Sequence, residues 1–164
     1  PRAYKEADDM EARYRMQMSA TMAGLAFGNS QCALTHSLGH AVGKVFGLHH
    51  GMIVSIFIPY SIQYYSKASN KYVQLAREIG IEARDKEECL QKLVDRFKEF
   101  LLSFKVPYAL KEHGITKESW KENLDNVAKY AWEDACTGAS PRPTSVIDIK
   151  KMLEYAYEGK DIDF

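Results

Sequence analysis

Four of the chain's five histidines fall within "LTHSLGHAVGKVFGLHHGM", residues 34–52, as His36, His40, His49 and His50. Imidazole is the commonest metal ligand, and its ordinary pKa also lets it exchange protons near neutral pH. His36 and His40 are four residues apart, so on a helix they share one face. That spacing suits two imidazoles on one metal ion, or one on the ion and one on a substrate beside it. His50 lies past the helix end, where Gly47 and Gly51 let the chain fold back toward its own start. A lone histidine on an apolar helix is ordinarily a hydrogen-bonded core residue. The i,i+4 pair followed by a third histidine after a glycine-bounded turn favours a site. Gly39, Gly43 and Gly47 recur every fourth residue, a smooth stripe that a helix or a cofactor could approach closely. His113, alone in "KEHGI", reads as a surface residue near a helix end.

The elements that must position these residues are helical. Residues about 4–27 read as one helix, broken by Gly28, Asn29 and Ser30 in "FGNSQ". A second runs over about 32–46 and ends near Gly47. A third, about 51–66, is apolar nearly all round and so belongs at the centre of a bundle, with Pro59 expected to kink or break it. "SNKYVQLAREIG" has a cap at Ser69 or Asn70 and a stop at Gly80. Asp85 and Glu88 form a capping-box pattern ahead of Leu90, Leu93, Val94, Phe97, Leu101 and Phe104 on one face, and Pro107 ends that helix. A further helix covers 115–135, with Trp120, Leu124, Val127 and Ala131 recurring. After the loop "CTGASPRP", Thr144 or Ser145 caps a last helix bearing Ile149, Met152, Leu153 and Ala156. The expected fold is an all-α bundle, one domain over 1–164.

Within that bundle Phe27 reads by default as core packing. A catalytic thiol needs a base beside it, and the sequence around Cys136 offers none, so Cys136 reads as a small core or pocket residue. Cys32, Cys89 and Cys136 are widely spaced and odd in number, which argues against a disulfide framework and for a reducing compartment. The 164 residues are 46% hydrophobic and 27% charged, with Lys+Arg and Asp+Glu both 22, so the formal net charge is zero. No basic run interleaved with aromatics suggests nucleic acid, and the longest apolar stretch, "GMIVSIFIPY", is too short to span a bilayer. "PRAYKEADDM" has no signal-peptide hydrophobic region. These features point to a cytoplasmic globular domain that binds neither nucleic acid nor membrane.

The run "AFGNSQCALTHSLGHAVGKVFGLHHGMIVSIFIPY" resembles the signature of the iron-dependent, or group III, alcohol dehydrogenases. In that signature a histidine is followed by a second four residues on, and by a third just before a glycine after a ten-residue gap. Here these are His36, His40 and His50. "VPYALKEHGITKESW" and "DACTGASPRPTSVIDI" extend the resemblance over essentially the whole chain. It implies the all-helical, metal-binding carboxy-terminal domain of a dehydroquinate synthase-like fold, whose amino-terminal α/β domain binds NAD(P). Residue by residue, it implies that His36 and His50 are metal ligands, and that His40 lies beside the nicotinamide and substrate as a proton relay. It also implies that Phe27 and Cys136 line the substrate pocket. Family members usually have Pro before the third histidine; this chain has His49, so two adjacent imidazoles stand near one ligand position. The family's other two ligands come from an Asp-x-x-x-His pair, which occurs nowhere in this chain, and the glycine-rich pyrophosphate turn is also absent.

The resemblance therefore implies part of an enzyme that interconverts a primary alcohol and an aldehyde by metal-assisted hydride transfer. Its cofactors would be Fe2+, Zn2+ or another divalent metal, with NAD or NADP in the intact enzyme. Its partners would be a small alcohol or aldehyde and a separate α/β domain, or a second copy of itself through the face that domain would cover, with Phe27, the glycine stripe and the histidines on it. The isolated chain is expected to be inactive. The alternative is a stand-alone helical metal-binding or interaction module without catalysis.

Overall fold

The computed structural model describes residues 1–164, which form eight α-helices and two 3-10 turns with no strand. They divide into two compact units, Pro1–Cys32 and Ala33–Phe164. In the first unit α1 spans Arg2–Lys5 and α2 spans Met10–Ser30. The single helix expected over 4–27 is thus interrupted before Met10. Asp9 starts α2 afresh, its Oδ1 accepting the Ala12 N–H at 3.0 Å and so satisfying a donor that has no partner within the helix. The expected break at Gly28–Ser30 does not occur. Asn29 and Ser30 bond back to the carbonyls of Leu25 and Ala26 within a backbone that stays helical, and the chain turns at Gln31, with φ 65°.

The second unit holds α3 (Ala33–Phe46), α4 (His50–Ser66), α5 (Lys71–Glu78), α6 (Lys86–Ser103), α7 (Lys117–Glu133) and α8 (Val146–Glu158). Its 3-10 turns are Leu110–His113 and Ala135–Ala139. The apolar α4 lies at the centre, as its composition requires. On one side Ile53, Ile56, Phe57 and Tyr60 pack with Leu34 and Leu38 of α3, Val127 of α7, and Ile149, Met152 and Leu153 of α8. On the other, Ile62 joins Val73, Ala76, Cys89, Leu93 and Val94 of α5 and α6. Pro59 does not break α4, whose helix runs continuously across it. A proline there removes one backbone bond, and burial on both sides holds the helix together regardless.

The glycine stripe has a specific use. A Cβ on Gly39 would lie 2.6 Å from Val54 Cγ2, and one on Gly43 3.2 Å from Ile53 Cγ2. These two glycines let α4 approach α3 closely, so they are covered by α4 rather than presented to a partner, whereas Gly47 is exposed in the turn beyond. The buried tyrosines of α4 place their hydroxyls on partners: Tyr60 donates to the Tyr108 carbonyl at 2.8 Å and Tyr64 to the Pro143 carbonyl at 3.0 Å. At the helix starts, Asp85 accepts from the Glu88 N–H, but Glu88 turns its carboxylate to Arg84 instead of completing the box. Ser145, not Thr144, caps α8, and with Asp148 it forms a full capping box.

Candidate metal and proton-transfer site

His36 and His40 sit one turn apart on α3, and His50 is the first residue of α4. The reversal between the helices depends on Gly47, whose φ of +68° favours a residue without a side chain. His49 then caps α4 with its carbonyl, which accepts the Ile53 N–H at 3.0 Å. As a result His50, exposed like its neighbour His49, brings its ring to the two on α3. Ring centroids are 5.6 Å apart for His36–His40, 5.6 Å for His36–His50 and 5.2 Å for His40–His50. Two imidazoles bound to one ion through nitrogens at the usual distance would have centroids about 5 Å apart. The His36 and His50 rings are thus spaced as two ligands of one divalent ion would be. The donors are imidazoles alone, a set suited to iron(II), zinc or another first-row ion.

His40 is set apart from the other two by a carboxylate. Its Nδ1 lies 2.9 Å from Asp134 Oδ2. Asp134 follows α7 and caps the Ala135–Ala139 turn, its Oδ1 accepting the Cys136 N–H at 2.8 Å. Burial pushes the Asp134 carboxyl up, but bonds from the Cys136 N–H, the His40 ring and the Cys136 thiol outweigh it and hold it below the usual carboxylate value. An ionised carboxylate only accepts, so in this bond His40 donates from Nδ1. The His40 side chain is 39% exposed and that of Asp134 21%, so the pair is open to a reactant but partly shielded from water.

The segment that carries Asp134 and Cys136 is firmly tied. Thr137, buried, donates from Oγ1 to the Ala131 carbonyl at 2.6 Å. Tyr65 donates to Ser140 Oγ at 3.2 Å, and Arg142 reaches the carbonyls of Tyr64 and Phe164. One ligand-type atom from each of His40, Asp134 and Cys136 lies within 4.8 Å of the others.

Of the residues singled out from sequence, His36, His40, His50 and Cys136 thus lie together at one end of the second unit. Phe27 belongs to the first unit, near the end of α2, and at 48% exposure it is not core packing. His113 is half-buried, its Nε2 2.8 Å from the Pro107 carbonyl, rather than a plain surface residue. Asp134 was missed. Its signal was present as the cap-forming Asp of "DACTGAS", but only the fold brings that cap to α3, 94 positions away in sequence.

Residues 1–157 match the model of the Fe-containing alcohol dehydrogenase family, C-terminal. The chain belongs to the iron-containing alcohol dehydrogenase family. Among its relatives in that family is the NADPH-dependent butanol dehydrogenase of Clostridium saccharobutylicum, 36% identical over 95% of this chain and 40% of that protein. Aldehyde-alcohol dehydrogenase 2 of Entamoeba histolytica is 30% identical over 91% of this chain and 19% of its own length. The iron-containing alcohol dehydrogenase of Thermococcus thioreducens superposes with a TM-score of 0.79 at 27% identity, covering 93% of this chain and 39% of that one. An alcohol dehydrogenase from Oenococcus oeni shares the fold with a TM-score of 0.85 at 24% identity, covering 94% of this chain and 40% of that one. The chain spans no more than about 40% of the length of these relatives. No helix is long and apolar enough to cross a membrane.

Proposed function

We propose that residues 1–164 are the carboxy-terminal, metal-binding part of an iron-type alcohol dehydrogenase acting on a primary alcohol or aldehyde with NAD or NADP. The observation that carries the reading is the convergence of three imidazoles, one of them hydrogen-bonded to Asp134. His36 and His50 would hold the ion, with further ligands from the nucleotide-binding part. A divalent ion there supplies Lewis acidity toward the substrate oxygen. His40 would take the hydroxyl proton on Nε2 in oxidation and return it in reduction. Asp134 keeps Nδ1 protonated and steadies the positive charge that His40 acquires. Cys136, beside the His40–Asp134 pair, would bound the reacting carbon.

The division of labour among the histidines is testable in the enzyme assembled from this chain and a nucleotide-binding α/β part. His36→Ala should remove the metal, measured by elemental analysis, and with it all turnover. His40→Ala should keep the metal and lower kcat by roughly 100-fold to 10,000-fold. Equal metal loss in both variants would make His40 a ligand and refute the assignment. The 164 residues alone, with NAD or NADP, iron(II) or zinc and short alcohols, should give no turnover. Holding two reactants in register needs both halves of the site, and an ångström of misplacement is costly. Turnover by the isolated chain would refute the reading.

A further inference from the structure

The side chains of His40, Asp134 and Cys136 do more than line the site. We propose that they form a second metal site, selective for a thiophilic divalent ion such as zinc or cadmium and distinct from the ion held by His36 and His50. Three observations support it. The set is one imidazole, one carboxylate and one thiol, and their ligand atoms lie within 4.8 Å of one another. Around a tetrahedral zinc ion such atoms stand about 3.3–3.6 Å apart, so closure takes a movement of about an ångström. The three residues come from only two places, α3 and the tied turn after α7, so little chain must be ordered to bring them in.

The third observation is that these groups are already joined through protons. His40 Nδ1–H donates to Asp134 Oδ2, and the Cys136 thiol donates to the same carboxyl. A metal ion can take the place of both protons. The ion bonds to Nδ1, to a carboxylate oxygen and to Sγ. The Nδ1 proton is lost as Nε2 gains one, leaving His40 a neutral imidazole, and the thiol proton goes to solvent. No electrons move, and a water completes the fourth position.

The consequence is inhibition. With the ion on Nδ1, Nε2 carries the proton and has no lone pair to accept another. Asp134 is also withdrawn from its role as the partner of His40. A thiolate is the soft ligand that separates this site from the imidazole cluster, so zinc, cadmium and cobalt should enter it while magnesium and manganese do not.

The test uses cadmium alone, titrated anaerobically into the reduced 164-residue chain, with thiolate-to-cadmium charge-transfer absorption as the readout. Binding can thus be measured without turnover, so its failure would leave the dehydrogenase reading untouched. The expected result is one band that saturates at one equivalent per chain and disappears in Cys136→Ser, with the helical circular dichroism unchanged. Asp134→Asn should weaken binding by more than the roughly 10-fold that loss of an outer-shell partner costs. Cys32→Ser should leave the band intact, because Cys32 belongs to the other unit. The paired variant His36→Ala/His50→Ala should also keep it. Absence of a band, its survival in Cys136→Ser, or its loss in the paired histidine variant would each overturn the proposal.

Discussion

Helices α2 and α4 are of similar length, 21 and 17 residues, and both contain many apolar side chains, yet only one makes a core. In α4 nine residues are buried, among them Ile53, Ile56, Phe57 and Tyr60; in α2 only Ala12 is. The stretch "MIVSIFIPY" of α4 has no charged residue, so it can be enclosed from more than one side. In α2 the apolar Met16, Met22, Leu25 and Phe27 are exposed, and Arg13, Arg15, Gln17 and Ser19 are spread among their neighbours rather than gathered on one face. The difference separates two things that helical periodicity alone confuses. Local signals make a helix: the Asp9 cap and the Glu11–Arg15 ion pair suffice to start α2. A place in the core requires in addition a continuous apolar surface with something packed against it.

The largest effect that would sharpen this contrast is a truncation in α4. Phe57→Ala should cost about 3–5 kcal/mol in chemical denaturation, because Phe57 is fully buried between packed helices. Leu25→Ala in α2 should stay within about 0.5 kcal/mol, as expected of an exposed side chain. A similar loss in both would mean that α2 has a buried face after all.

A glycine of α3, packed against α4, and a glycine of α2 give the next contrast, with opposite signs. Gly39→Ala drives a methyl to within 2.6 Å of Val54 on the facing helix, and overpacking of this kind costs about 1–3 kcal/mol. Gly24→Ala in α2 meets nothing within 4 Å, so the gain of about 0.5–1 kcal/mol in helix propensity should appear undiminished. The first should lower the denaturation midpoint, and the second should raise the protection of α2 amides against hydrogen exchange. If Gly39→Ala were neutral, the close approach of α4 to α3 would not be needed.

The same contrast explains what the sequence could disclose. The all-α class, the central position of 51–66 and the capped starts of α6 and α8 were legible, because each depends on residues within a few positions of one another. The meeting of His36, His40 and His50 was legible too, since one helical turn and one glycine-bounded reversal link all three. The Asp9 restart and the continuation of α2 through Gly28–Ser30 were not, because caps and back-bonded Asn and Ser can favour either a helix or its end. Pro59 misled for the opposite reason: its local cost is real, but tertiary burial outweighs it. Asp134 could not be assigned to His40 from spacing, since that contact exists only once α7 has packed against α3.

The smallest expected effect concerns acid. At the start of α2, the Ala12 N–H and the Arg2 guanidinium hold the Asp9 carboxyl below its usual value of 3.8, and Arg15 and Arg2 do the same for Glu11 below 4.5. A carboxylate with a depressed folded pKa contributes stability that is fully present above its unfolded pKa and is lost as pH falls toward the folded one. The loss should therefore begin near pH 4.5 and grow on further acidification. Both groups are on the surface, so the effect is modest and weakens with salt. The turns Ile53–Tyr60 of α4 carry no carboxylate at all. Between pH 6 and pH 3, protection factors corrected for intrinsic exchange should fall for amides of the first turns of α2, and more so at low ionic strength. Over the same range those of Ile53–Tyr60 should hold. Asp9→Asn keeps the cap acceptor but removes the titrating charge, so it should flatten much of the pH response in α2, leaving the share that belongs to Glu11. Equal acid sensitivity in the two helices would mean that α2 is stabilised by global packing, as α4 is, rather than by the charges at its own first turn.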